Sequence, residues 1–182
     1  MVNIYKLKLT NLQQEILRLL FIKTGISLNQ RRIATTLKVS QPAVMKAIPK
    51  LEKEDLIKIK QDKESKRWSI ELNRDNQDVI WLKRADNLKQ IYESGLVQFL
   101  YDKLPGATII LFGSYSLGED TINSDIDLAA IGIKNKELDL TKFDKMLERT
   151  IIINYYASFK DINKHLLNNI LNGIILKGAV EI

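Results

Sequence analysis

Asp125 and Asp127 are separated by one residue and follow the dipeptide Gly113-Ser114, with Asp125 eleven positions after Ser114. Side chains alternate along a strand with a period of two, so both carboxylates fall on one face. Ile126 and Leu128 fall on the other, towards a core. Neighbouring carboxylates repel each other, and a divalent cation is the usual agent that offsets the repulsion. Mg²⁺ takes carboxylate, water and phosphate oxygens, commonly from one or two carboxylates and a substrate phosphate. Gly113 lets a phosphate approach the backbone, and a helix opening at Ser114 turns free N–H groups towards it. A phosphate cradle beside a two-carboxylate metal site is the apparatus of phosphoryl or nucleotidyl transfer. The plainer reading is a pair of solvated strand-end carboxylates and an ordinary Gly-Ser turn.

Those residues need a scaffold, and the surrounding pattern supplies one. Ile109-Ile-Leu-Phe112 is a short, β-branched apolar run that predicts a buried strand, and Ile126 opens a second run through Ile131. Thr141 to Arg149 predicts a helix with Phe143, Met146 and Leu147 inside, and Thr150 to Tyr156 a strand. Ser158-Phe-Lys-Asp161 has capping-box form and predicts the start of a helix that carries Ile162 to Leu171 and ends at Asn172-Gly173. Ile174 to Leu176 is a further apolar run. His165, the one histidine, has no assigned role.

The order strand, Gly-Ser, spacer, Asp-x-Asp, apolar strand resembles the signature of the DNA polymerase β-type nucleotidyltransferase superfamily, in its short form the minimal nucleotidyltransferases. The resemblance implies that Gly113 and Ser114 contact the nucleotide triphosphate, and that Asp125 and Asp127 are the catalytic metal ligands. It implies Mg²⁺ and ATP or another NTP. It also implies a third carboxylate on the next strand, where the matching place is Asn154 in Ile153-Asn-Tyr155. A neutral amide cannot act as a general base. Members of this group modify a protein tyrosine as antitoxins of a helical toxin partner, or modify small molecules, so a toxin-type protein partner is among the implied ones.

The 182 residues leave room for one medium or two small domains, and 45% hydrophobic content is enough for real cores. With no cysteine, disulfides and thiolate metal sites are excluded. No leader-like apolar segment opens the chain, and no run nears the roughly 18 apolar residues of a membrane span, so the expected location is cytoplasmic, with no membrane contact. The net charge of +6 is uneven: residues 1–74 hold 16 Lys/Arg against 7 Asp/Glu, and the remainder is net acidic. A basic module suggests a polyanionic partner.

Within it, Thr10 to Gln13 has capping-box form, with Leu12, Ile16, Leu19 and Leu20 at helical spacing and Gly25 as a stop. Ser27 to Gln30 repeats the box ahead of Ile33, Ala34 and Leu37, and Ser40 caps a third helix with Pro42 in its first turn and Val44, Ile48 and Leu51 inside. Pro49 removes one helical hydrogen bond, yet the register of Leu51 predicts that the helix runs on. Leu56 to Lys60 and Arg67 to Leu72 alternate about a polar turn, as a β-hairpin does. Residues 10–73 resemble a winged helix-turn-helix domain of bacterial and archaeal regulators. The resemblance implies double-stranded DNA as partner and a homodimer on a two-fold site. Gln41 and Lys46 are then placed for base edges, Lys50 for a phosphate, Arg31 and Arg32 for the backbone, and Lys63, Lys66 and Arg67, at the hairpin tip, for phosphate or the minor groove. A winged helix used for protein contact is the alternative.

Residues 75–104 read as one long helix, interrupted at Gly95 and stopped by Pro105-Gly106, with an apolar stripe of Trp81, Leu82, Ala85, Leu88, Ile91, Tyr92, Leu96, Phe99 and Leu100. The expected fold is α/β (α+β): a winged helix-turn-helix domain over 1–74, a connecting helix over 75–104, and a small nucleotidyltransferase domain with a mixed β-sheet over 105–182. Three functions compete: an enzyme transferring a nucleoside monophosphate to a hydroxyl in concert with DNA binding, a catalytically weak or inactive nucleotide-sensing transcriptional regulator, and a regulator whose C-terminal domain only dimerises.

Overall fold

The computed structural model describes residues 9–61 and 68–180, which divide into two compact units, Met1–Val79 and Ile80–Ile182. The first is built from three helices and a hairpin: α1 (Asn11–Ile22), α2 (Gln30–Leu37), α3 (Gln41–Lys53), β1 (Ile57–Gln61) and β2 (Trp68–Leu72). Helix α1 starts at the expected capping box: the Thr10 hydroxyl accepts from Gln13 N at 3.3 Å, and Gln13 Oε1 accepts from Thr10 N at 2.9 Å. Buried Gln13 also donates to Ala47 O at 3.1 Å, tying α1 to α3. Ile16, Leu20, Ile33, Val44, Leu51 and Ile70 form the dry centre. Helix α3 runs through Pro49 as expected, because Pro49 is exposed and its neighbours Ile48 and Leu51 stay buried.

The cap of α2 differs from expectation. Asn29, not Ser27, accepts the first-turn N–H, from Arg32 at 2.8 Å. The reason is tertiary. Leu28 is extended and exchanges two 2.8 Å backbone hydrogen bonds with Ile70 of the hairpin, so the helix cannot begin before Asn29.

The second unit is a four-stranded sheet with helices on both faces. Its elements are α4 (Gln77–Glu93, which spans the boundary between the units), α5 (Leu96–Lys103), β3 (Thr108–Phe112), α6 (Gly113–Leu117), β4 (Ile126–Ile131), α7 (Thr141–Leu147), β5 (Ile151–Tyr156), a 3₁₀ turn (Phe159–Asp161), α8 (Lys164–Leu171) and β6 (Ile174–Lys177). The strand order is β5-β4-β3-β6, with β4/β5 parallel and the other pairs antiparallel, so the sheet is mixed. Ile109, Leu111, Ile126, Leu128 and Ile151 pack on one face with Ile91, Leu96, Leu100, Phe143 and Leu147. Ile110, Phe112, Ala129 and Ile131 pack on the other with Phe159, Ile162 and Ile170.

Two expectations change here. The capping box at Ser158 and Asp161 closes only the 3₁₀ turn. The chain then becomes extended at Ile162, and α8 starts afresh with Asn163 as its cap. The stripe assigned to residues 75–104 is also corrected. Gly95, at φ +77°, separates α4 from α5. Along the start of α4 the buried positions are Val79, Lys83, Asn87 and Ile91, four residues apart, whereas Trp81 and Tyr92 are exposed. The helix turns a charged and an amide side chain inward because an acid awaits them there.

Candidate functional site

The site gathers where β3 ends and β4 begins. Phe112 pairs with Asp127 across the antiparallel β3/β4 ladder, which brings Gly113 beside the Asp127 side chain. A Cβ added to Gly113 would lie 2.6 Å from Asp127 Oδ2, and the residue sits at φ +73°, so only glycine fits without displacing the carboxylate. Asp125 is exposed and immediately precedes β4; Asp127 is half-buried within it. Burial pushes the Asp127 carboxyl above its ordinary value, and the Asp125 charge adds to the effect. These are the electrostatics of an acidic pair that a cation would relieve. The two Asp oxygens are hard donors, so they fit Mg²⁺ completed by water and phosphate. Ser114 lies in the first turn of α6, a helix of only five residues, so its dipole is small and local N–H groups are what it offers. A cleft of about 520 Å³ opens beside it, lined by Arg84, Gly113, Ser114, Ser116, Leu117, Glu119, Asn169 and Asn172.

Strand register decides which residue of β5 stands across from Asp127. In the parallel β4/β5 ladder Asp127 pairs with Ile152, while Asn154 pairs with Ala129, one pleat further from Gly113. The residue across from Asp127 on the shared face is therefore an isoleucine, 38% exposed, and not Asn154. Among the described residues no group of three His, Cys, Asp or Glu side chains is placed to share one metal ion.

Beneath the loop that joins α6 to β4 lies a cluster that the spacing of residues did not reveal. Asp120 is buried and accepts from Lys83 Nζ, from Asn87 Nδ2 at 2.7 Å, and from Arg149 Nη2 at 3.2 Å. Lys83 Nζ also donates to Asp120 O at 2.9 Å, and Asn87 Nδ2 to Tyr115 O at 2.9 Å. The cluster fastens α4, α6 and the link between α7 and β5 to the segment leading to Asp125. One signal was available: Lys83 and Asn87 share the four-residue spacing of Val79 and Ile91. Gly118, at φ +78°, completes the closure, since a Cβ there would lie 2.5 Å from Ile80 O and 2.8 Å from Arg84 N.

In the first unit, Arg31 and Arg32 are exposed in the first turn of α2. Gln41, Met45 and Lys46 are exposed on α3, and Lys50 is partly exposed one turn on from Lys46. The candidate residues of α3 thus lie off the side occupied by Val44, Ala47, Ile48 and Leu51. Lys63, Lys66 and Arg67 lie outside the described residues.

Comparison with known proteins follows the same division. The family described as "Nucleotidyltransferase domain" matches residues 93–175, and the MarR family matches residues 9–68. None of the curated proteins matches the chain. Similar solved structures include the zinc-responsive MarR family member ZitR of Lactococcus lactis, 27% identical over 56% of this chain and 67% of that one, with a TM-score of 0.42. The adhesin competence repressor AdcR of Streptococcus pyogenes is 27% identical over 57% of this chain and 72% of that one, with a TM-score of 0.43. MepR of S. aureus, in a complex with DNA, is 24% identical over 52% of this chain and 81% of that one, with a TM-score of 0.38. Together, the two family matches and the fold establish that the chain joins a MarR-family winged-helix domain to a nucleotidyltransferase domain.

Proposed function

We propose that this protein is a DNA-binding regulator whose C-terminal domain takes a Mg²⁺-bound nucleotide as a ligand, without the base that efficient transfer to a hydroxyl requires. The observation that carries this reading is the pairing of Asp127 with Ile152. Asp125 and Asp127 would hold the cation and Gly113-Ser114 the phosphates. The cation would supply charge neutralisation for the phosphates. Deprotonating an acceptor hydroxyl needs a positioned base, and an isoleucine offers none. Isothermal titration of Mg·ATP and Mg·GTP tests the ligand role. Binding that requires Mg²⁺ supports it, and no heat with any nucleoside triphosphate removes it.

One observation favours a working enzyme. A shallow hollow of about 410 Å³ beside Asp125 is also lined by Asp144 and Glu148, which would bring carboxylates near an acceptor. Transfer of label from α-³²P-ATP separates the readings. On the ligand reading the parent shows background transfer, and Ile152→Glu raises it by about tenfold or more, the lower end of what a general base contributes being about a hundredfold. Strong transfer by the parent, lost in Glu148→Gln, would establish the enzyme instead.

For the winged helix, DNA contact is proposed through Arg31, Arg32, Gln41, Lys46 and Lys50, on a homodimer facing a two-fold site. Binding to duplex DNA should weaken steeply with salt. Each of Lys46→Ala and Lys50→Ala is expected to lower affinity, and loss of a phosphate contact reduces the log–log salt slope by about one per protomer. Fluorescence anisotropy across a salt series reads this directly. Affinity independent of salt would point to a protein-contact role.

A further inference from the structure

We propose that Arg84, on the helix that precedes the matched nucleotidyltransferase domain, is the cation that receives the nucleotide's phosphates. The inference rests on the reading of Gly113-Ser114 and Asp125/Asp127 as a nucleotide site, and adds a residue from outside the domain that the family match covers, which begins at residue 93.

Three observations converge on Arg84. It lines the same cleft as Gly113, Ser114 and Ser116, and it is the one basic side chain among the lining residues. It is exposed, and no hydrogen bond or ion pair engages its side chain among the described residues, so its guanidinium is available. Its backbone is held in place from two sides. Lys83, the residue before it, is fixed to Asp120, and Gly118 lies so close that a Cβ there would meet Arg84 Cβ at 3.0 Å. One turn further along α4, Asn87 grips Tyr115 O and Asp120.

The chemistry selects a phosphate chain over other occupants. A guanidinium presents a fixed fork of N–H donors that matches two phosphate oxygens. The Ser114 hydroxyl adds a neutral polar group, and the absent side chain at Gly113 lets the Asp127 carboxylate lie against the backbone at this wall of the cleft. Glu119 on the same wall would repel a bare anion, which favours a phosphate chain whose charge is partly offset by Mg²⁺. Because α4 begins beyond the nucleotidyltransferase domain, this arrangement makes the helix before that domain a part of its ligand site.

The test is calorimetric titration of Mg·ATP into the full chain, its Arg84→Ala and Arg84→Gln variants, and Asp127→Asn. Arg84 is exposed, so both variants should melt as the parent does; Arg84→Gln keeps most of the stem should alanine disturb the helix. Both are expected to weaken Mg·ATP by about tenfold or more, as the loss of a charge-assisted contact does. Inorganic triphosphate with Mg²⁺ should compete with Mg·ATP on the parent and lose that competition in both variants. Parent-like affinity in both variants, while Asp127→Asn abolishes binding, would overturn the role of Arg84 and leave the nucleotide site standing. A parent that binds no nucleotide would overturn both.

Discussion

Replacing Asp120 by alanine is expected to cost about 3–5 kcal/mol of stability, the range for removing one partner of a buried ion pair. The loss is set by what remains. Lys83 and Arg149 are both buried, and each would lose the carboxylate that now accepts from it. Against a total stability of about 5–15 kcal/mol for a domain, this removes a large share. Thermal unfolding followed by far-UV circular dichroism should show a lowered transition for the C-terminal unit. Asp120→Asn keeps an acceptor and should fall between the parent and Asp120→Ala. Lys83→Met should cost less than Asp120→Ala, since Asp120 then retains Arg149 and Asn87. In a double-mutant cycle the Lys83 and Asp120 substitutions should be non-additive, as residues in one network are. Additive effects, or a parent-like melting temperature in Asp120→Ala, would show that the cluster is not what fastens this loop. A buried ion cluster also defines geometry, and here it fixes the segment that delivers Asp125 and Asp127 to Gly113.

The second large effect is expected at Asp127, and it has opposite signs in two assays. Asp127→Asn should abolish Mg²⁺-dependent nucleotide binding, because one of two charged ligands becomes a neutral amide. In the metal-free protein the same substitution should raise the melting temperature near neutral pH. The sign follows from the raised carboxyl value, caused first by burial and then by the Asp125 charge. A group with a raised folded value favours the protonated form, so its contribution to stability is fully present below the unfolded value. That contribution is lost as pH rises through the folded value. At neutral pH the fold carries a charge it disfavours, and asparagine removes it. The gain from Asp127→Asn should therefore vanish below the ordinary aspartate range and grow as pH rises through the raised value. Melting curves from pH 3 to 8 in EDTA check this. A variant less stable than the parent throughout would mean that the Asp127 charge is compensated within the fold. Added Mg²⁺ and nucleotide should reverse the order of stability, since a ligand that binds only the parent stabilises only the parent.

Much of this molecule was determined by sequence alone, because the relevant forces are local. A hydroxyl cap with Gln three residues later fixed the start of α1, and Ser40 with Pro42 fixed that of α3. Short apolar runs gave β3 and β4, and one-residue spacing put Asp125 near enough to Asp127 for its charge to act there. Gly113-Ser114 was legible as a pair, and the family matches agree with both halves of the chain. What tertiary structure alone decided concerns pairing across distance. A period of two assigns Ile152 and Asn154 to one face but cannot tell which stands across from Asp127; the offset between two strands is set when they pair. The Leu28 bridge to Ile70 moved a helix start, for the same reason. Trp81 and Tyr92 looked like core because they are apolar. Lys83 and Asn87 took the inner face because Asp120, 37 and 33 residues away, satisfies them there. Arg84 then follows from its neighbour: once Lys83 is drawn inward and Gly118 closes on the helix, the next side chain is directed into the cleft. Local physics chose the elements and the chemical groups; long-range pairing and burial chose which of those groups meet.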